Sequence, residues 1–285
     1  MHEGVRASEA GECKLCGMPL VAIDTKPRTA LHDANYDMLL SAPSREPGSA
    51  SVMINLTPQR DGATLCELAT VHEHTLHLII VSQDLSFFDH VHPVPQPDGS
   101  FTLPYRFPAG GSYILFADIT PRGDRSQVFR MPLEIGPHRD NPANYLAVSP
   151  AQSKLLASDP AITVALHPTP RALTAGTHAQ LLFNLAKDDK PVTDLAPYLG
   201  AMGHCVVISQ DTQTYLHCHP EQLLTPKASD TGGPGVPFHL RFPAPGRYKV
   251  WGQFKRGDKI LVADFVVDVS APLLGPKVMQ MLFDE

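Results

Sequence analysis

The chain has 285 residues, room for one large domain or two ordinary ones, and 43% of them are apolar, enough to bury real cores. A net charge of -6 without any basic stripe argues against nucleic acid and anionic membrane surfaces as partners. No apolar run approaches the ~18 residues that a transmembrane helix needs, and 28 prolines with little helical periodicity point to an all-β protein with many turns.

Residues 1–25 are small, polar and cysteine-bearing, and they lack the basic and apolar regions of a signal peptide. Residues 36–136 read as a first strand-rich domain, with strands expected at Val52–Leu56, Leu76–Val81, Ser112–Ala117 and Val128–Ile135. Asp61-Gly62, Asp98-Gly99 and Gly110-Gly111 supply turns between them. Residues 137–160 are rich in proline, asparagine and serine and read as a linker, with one short helical turn near Gln152–Ala157. Residues 161–270 are strands again, and residues 271–285 form a tail with a short helix expected at Lys277–Phe283.

The two strand regions are copies of one another. Leu76 to Asp84 matches Gly203 to Asp211, and His90-Val91-His92-Pro93 matches His217-Cys218-His219-Pro220, all at an ungapped offset of 127 residues. Arg106-Phe107-Pro108-Ala109 then matches Arg241-Phe242-Pro243-Ala244, and Tyr113 matches Tyr248, at an offset of 135. The extra residues fall in the Gly/Pro-rich stretch Ser229–Val236, a loop insertion. Self-similarity of this kind means two domains of one fold. Short strands at this density fit tandem immunoglobulin-like β-sandwiches.

Each copy carries one histidine pattern: His77, His90 and His92 in the first, His204, His217 and His219 in the second. A tight turn near Asp84-Leu85, or Asp211-Thr212, would set His77 opposite His92 and His204 opposite His219. His90 and His217 then lie two residues along the same strand, so period-two alternation puts all three side chains on one face. Cβ atoms in such positions are ~5–7 Å apart, and imidazole nitrogens from them can converge on one ion at ~2 Å. The spacing is that of a three-histidine metal site on a hairpin. His72, His74 and Met202 are candidates for a fourth ligand. His72-Glu73-His74 with His77 lacks the spacing of a zincin helix. Cys205 and Cys218 should face each other on the opposite side of the second hairpin, as a cross-strand disulfide or as two buried thiols; Cys66 has no evident partner and is expected to be buried. Asp84, Asp89 and Asp211 read as turn or far-face residues rather than catalytic carboxylates. The pattern leaves open whether the two sites lie apart or the domains pack and share ligands.

Near the start, Gly11-Glu12-Cys13-Lys14-Leu15-Cys16-Gly17-Met18 joins a Cys-x2-Cys pair to a methionine. Thiolates with a thioether are soft ligands that select Cu(I). This segment resembles the small heavy-metal-binding domain of metal efflux proteins. In that resemblance Met1-His2 matches its Met-His, Gly11 its glycine, Cys13 and Cys16 its cysteine pair, and Met18 its last methionine. Glu3 and Lys14 stand where the pattern has prolines. The expected start of the motif would precede Met1, so the resemblance implies a chain that begins inside the motif, with a signal peptide upstream. The repeated domains resemble the immunoglobulin-like YtkA/FixH-type modules of bacterial envelope proteins. Those carry Gly-His at a strand start and His-x-His-Pro downstream, as at Gly203-His204 and His217–Pro220; Leu76 replaces that glycine in the first copy.

Together these features lead to the expectation of a periplasmic or secreted metal-binding protein. Copper is the first expectation and zinc the second, and a metal efflux system is the partner implied by the N-terminal resemblance. Neither a nucleophile elbow nor a phosphate loop is present, so binding rather than catalysis is expected. The competing readings are a structural envelope module whose histidines bind nothing and, behind it, a metal-dependent enzyme.

Overall fold

The computed structural model describes residues 31–42, 52–136, 161–220, 226–227 and 229–272, with the two-residue strands Gly11–Glu12, Pro19–Leu20 and Lys154–Leu155. Cys13, Cys16, Met18, Met1 and His2, and the helix expected at Lys277–Phe283, lie outside the described residues. Among the described residues there is no helix, and none long and apolar enough to cross a membrane.

In chain order, β1 (Gly11–Glu12) and β2 (Pro19–Leu20) pair with each other. The first domain holds β3 (Tyr36–Ser41), β4 (Val52–Arg60), β5 (Ala63–Thr64), β6 (Leu76–Ser82), β7 (Phe88–Val91), β8 (Val94–Pro95), β9 (Phe101–Tyr105), β10 (Gly111–Ile119) and β11 (Gln127–Ile135). They form two antiparallel sheets, β3-β4-β9-β8 with β5 at its side, and β11-β10-β6-β7. After β12 (Lys154–Leu155) the second domain holds β13 (Ile162–Thr169), β14 (Leu173–Thr174), β15 (His178–Lys187), β16 (Lys190–Pro191), β17 (His204–Ser209), β18 (Tyr215–Cys218), β19 (Gly235–Arg241), β20 (Gly246–Arg256) and β21 (Lys259–Ser270). One sheet is built on β13, β15, β16 and β19; the other runs β12-β21-β20-β17-β18 with β14 beside β21. The protein is therefore all-β, two tandem β-sandwiches. The helical turn expected near Gln152–Ala157 is replaced at Lys154–Leu155 by a strand on β21, where free backbone groups of the sheet edge take up the chain.

Each sandwich closes on its own core. Tyr36, Ile54, Leu78, Ile80, Phe101, Leu115 and Leu133 meet in the first, and Val164, Leu181, Phe183, Val207, Phe238, Val250 and Phe265 in the second. The repeated Arg-Phe-Pro-Ala segments are tied down in the same way. Tyr113 donates its hydroxyl to the Ala109 carbonyl at 2.9 Å, and Tyr248 to that of Ala244 at 2.7 Å.

The apolar runs of β6 and β17 are buried at every residue. Alternation sends Leu78 and Ile80 into the first core and Cys205 and Val207 into the second. The opposite faces, Ile79 and Val81 with Val206 and Ile208, meet in a third cluster between the domains. There Phe88 stacks on Trp251 with ring centroids 4.8 Å apart, and Phe116 on Tyr215 at 5.0 Å. These four correspond in pairs across the repeat, so the two sheets pack face to face about an approximate twofold axis. Each such aromatic or aliphatic side chain contributes about 1.5–3 kcal/mol when taken from water. Arg130 reaches across to donate to the carbonyl and hydroxyl of Thr212 at 2.8 and 2.7 Å. In the same sheet of the second domain, Lys249 is buried in an ion pair with Asp264, Nζ to Oδ2 2.6 Å.

Candidate metal centre

The hairpins have the register that the histidine spacing requires. Leu78 pairs with Val91 and Ile79 with His90 in the first, and Cys205 pairs with Cys218 and Val206 with His217 in the second. The connecting loops set it. The Asp84 carboxylate accepts from the Ser86 amide at 3.0 Å and its hydroxyl at 2.7 Å, and Asp211 accepts from the Gln213 amide at 3.0 Å. Leu85 and Thr212 each take a left-handed backbone, φ 54° and 59°, to complete the loop. Both side chains are fully buried, and packing of this kind is what holds an L-residue in that region. Asp89 points away from the histidines and accepts from the Tyr105 hydroxyl at 2.9 Å.

The histidines fall on the faces that meet between the domains. His77, His90 and His92 each bring a ring nitrogen within 4.8 Å of the others, and so do His204, His217 and His219. In the first triad His77 Nδ1 lies 3.2 Å from His90 Nε2 and 3.1 Å from His92 Nε2. In the second, His204 Nδ1 lies 3.4 Å from His217 Nε2. Nitrogens ~2.0–2.1 Å from one tetrahedral ion are about 3.3 Å apart, so these separations suit a common ion.

The outer nitrogens decide which ring atoms carry hydrogen. His77 Nε2 donates to the Val71 carbonyl at 2.9 Å, and His204 Nε2 donates to the corresponding Tyr198 carbonyl, also at 2.9 Å. His90 Nδ1 donates to Gln253 Oε1 at 2.8 Å, and His217 Nδ1 faces Asp118 Oδ2 at 3.5 Å. A neutral ring protonated outside is bare inside. With that tautomer His77 Nδ1 turns its lone pair inward, toward His90 Nε2 and toward His92 Nε2 at 3.1 Å, and His204 Nδ1 turns its own toward His217 Nε2. His219 Nε2 is buried with no hydrogen-bond partner among the described residues. Lone pairs turned on one another in a buried site cost free energy, on the order of 1–3 kcal/mol per unsatisfied group, and a cation removes that cost. Outer partners that orient the rings in this way are what metal-ligating histidines have.

Burial also keeps the rings neutral. Desolvation, reinforced by the neighbouring imidazoles, lowers His90 to about 4 and His92 to about 2, and holds His204, His217 and His219 well below the ordinary value. A cation approaching at neutral pH has no protons to displace. Asp118 is pushed up by burial, against a hydrogen bond from the Ser126 hydroxyl at 2.6 Å.

The fourth-ligand candidates take other roles. His74 stacks on His92 and His72 on His219, both with centroids 3.7 Å apart and interplanar angles of 12° and 27°. Nearly parallel stacked rings aim their in-plane lone pairs alongside each other, so they cannot converge on one ion. His72 and Glu73 form a two-residue turn with φ 46° and 71°, closed by the Val71–His74 bridge. Leu199 and Gly200 repeat that turn at φ 51° and 69°. Met202 precedes the start of β17 and packs on the core of its own domain instead of pointing to the histidine face. Cys205 and Cys218 do lie opposite each other on the core side, and no disulfide joins them. Cys66 is exposed, contrary to the expected burial, because it sits in the turn-rich stretch after β5 and outside either sheet.

Two site residues carried no motif in the sequence: Asp118 and Gln253. Asp118 pairs with His77 across β10 and β6, and Gln253 with His204 across β20 and β17. They correspond at the offset of 135, and each is a polar residue in a strand that is buried over most of its length. Two polar residues at one repeat position are the signal that could have marked them.

A family profile described as Domain of unknown function (DUF8832) matches residues 30–135 and again 157–271. No curated protein matches the chain. Among solved structures, the Escherichia coli adhesin FdeC is 14% identical over 89% of this chain and 68% of its own, with a TM-score of 0.25. The fibronectin(III)-like modules of Clostridium thermocellum CbhA are 12% identical over 84% and 97%, with a TM-score of 0.20. Salmonella alpha-2-macroglobulin is 13% identical over 87% of this chain and 16% of its own, with a TM-score of 0.28. Likenesses this distant carry no argument about function.

Proposed function

The chain belongs to the DUF8832 family, whose domain it carries twice, and we propose that it is a metal-binding protein of the cell envelope, holding copper on its two histidine triads as a buffer, carrier or efflux accessory. The observation that carries this reading is the convergence of three ring nitrogens in each triad within 4.8 Å of one another, with His77 Nδ1 3.2 Å from His90 Nε2 and His204 Nδ1 3.4 Å from His217 Nε2. His77, His90 and His92 would hold one ion, and His204, His217 and His219 another. Each set offers one Nδ1 and two Nε2 donors and leaves an open coordination position. Among divalent first-row ions a neutral nitrogen site favours Cu(II), and zinc is the next fit to three imidazoles.

The N-terminal Cys13, Cys16 and Met18 extend the proposal. With Met1 and His2 they resemble a heavy-metal-binding segment, whose soft donors would hold or pass Cu(I). That resemblance, and that of the repeated domains to YtkA/FixH-type modules, supports an envelope location and a metal efflux system as partner.

Elemental analysis after loading with Cu(I), Cu(II) or Zn(II) and desalting tests the reading. Wild type is compared with a variant carrying all six triad histidines as Ala, and with the milder His92→Ala/His219→Ala, which changes one half-buried member of each triad. Retention of two copper ions beyond those held by the six-histidine variant, with weakened retention in the milder one, is expected. Equal metal content in all three proteins would leave the histidines without a metal role.

A further inference from the structure

The triads lie nearly as close to each other as the rings within one triad, whose centroids are 4.6 to 5.6 Å apart. Across the domain boundary, the centroids of His90 and His217 are 5.3 Å apart, those of His77 and His217 5.5 Å, and those of His90 and His204 5.9 Å. Within the triads, His77 and His90 are 5.4 Å apart and His204 and His217 5.6 Å. No apolar side chain of the interdomain cluster intervenes in these contacts. On β6 and β17 that cluster begins two residues further on, at Ile79 and Val206.

The supporting residues are exchanged between the domains. Gln253 of the second domain accepts from His90 of the first, and Asp118 of the first faces His217 of the second. His72 of the first domain stacks on His219 of the second. Each triad is therefore oriented by the other's sheet, and neither is complete in an isolated domain. A cavity of about 590 Å³ opens onto the pair and is lined by His77, His217, His219, Asp118 and His72. It gives a small solute a path to both triads at once.

We propose that the two triads form a single dinuclear centre, in which two copper ions, each on three imidazoles, share a small bridging anion such as hydroxide at the open positions between them. Such two-metal sites hold their ions ~3.5–4 Å apart, a separation within the span of rings that already touch across the interface. The proposal rests on the metal-binding reading above and adds that the two ions sense one another.

Electron paramagnetic resonance of the full chain tests it, with Cu(II) titrated from one to two bound equivalents and binding verified by elemental analysis. The first equivalent should give a Cu(II) signal. The second should reduce the integrated intensity per ion, or give a dipolar-split spectrum with a half-field line, and azide entering by the cavity should change it. The variant with His204, His217 and His219 changed to Ala should keep one ion with the full, uncoupled signal. Two bound ions with the summed intensity of isolated Cu(II) would overturn the dinuclear centre and leave the metal sites standing. One ion per wild-type chain, lost in either triple variant, would overturn it in favour of a single shared site. No histidine-dependent copper at all would sink the underlying reading as well.

Discussion

Replacing Gln253 by Leu probes the exchange of support between the domains. Gln253 is 3% exposed, and its Oε1 accepts the His90 Nδ1 hydrogen at 2.8 Å. Leucine preserves most of the volume and removes the acceptor, so the change is chemical more than steric. His90 then either buries an unsatisfied N–H, costing about 1–3 kcal/mol, or moves the proton to Nε2 and loses its inward donor. Outer partners of ligating histidines are worth ~10–100-fold in metal affinity, or about 1.4–2.8 kcal/mol. The residue belongs to the second domain, yet the loss should fall on the site of the first. In a background with His204, His217 and His219 changed to Ala, Cu(II) competition against a chelator should therefore show affinity reduced by that factor. In the reciprocal background, lacking His77, His90 and His92, Gln253→Leu should leave affinity within about twofold. Equal effects on both sites, or none on the first, would refute the assignment of Gln253 to His90.

The remaining predictions concern the interface, acid and the thiols. Trp251→Ala removes the ring stacked on Phe88; it should cost about 3–5 kcal/mol, lower Tm by roughly 6–20 °C, and weaken copper retention in both triads, whereas unchanged retention would show that the sites do not depend on the sheets packing. Apo-protein stability should fall on acidification, because His72 and His90 sit at about 4 when folded and nearer 6.5 when unfolded, so the unfolded chain takes up protons first as pH drops below 6.5. At pH 5.5 each costs about 1.4 kcal/mol relative to neutral pH, and denaturant unfolding at pH 7.5 and 5.5 should show at least that loss; a flat profile would mean the rings are not held neutral. Alkylation read by peptide mass should label Cys66 in the native protein and Cys205 and Cys218 only after unfolding, since burial raises the Cys205 thiol and shields both. Rapid native labelling of Cys205 would contradict the placement of β17.

The repeat and the hairpins were legible because they rest on local rules. A strand's period of two, together with an ungapped offset, is enough to place three histidines on one face, and the loops around Asp84 and Asp211 deliver that register. The apolar run Leu76–Val81 marked a strand, but not that both faces of β6 are covered, nor by what. That cover is another domain, and packing of sheet on sheet leaves no short-range trace in the chain. For the same reason the approach of the two triads, and the crossing of Asp118 and Gln253 to the opposite site, were not legible. Met202 departs from its expected face because strand alternation applies only inside a strand, and β17 starts at His204. His72 and His74 could be marked as near the site, but only ring orientation shows that they stack on ligands instead of joining them.

The central claim is tested most directly by anomalous scattering at the copper edge from crystals of the loaded protein. The account predicts two peaks, one among His77 Nδ1, His90 Nε2 and His92 Nε2 and one among the corresponding nitrogens of His204, His217 and His219, both in the space between the domains. Copper peaks only elsewhere, with the six histidines unchanged around an empty gap, would contradict it.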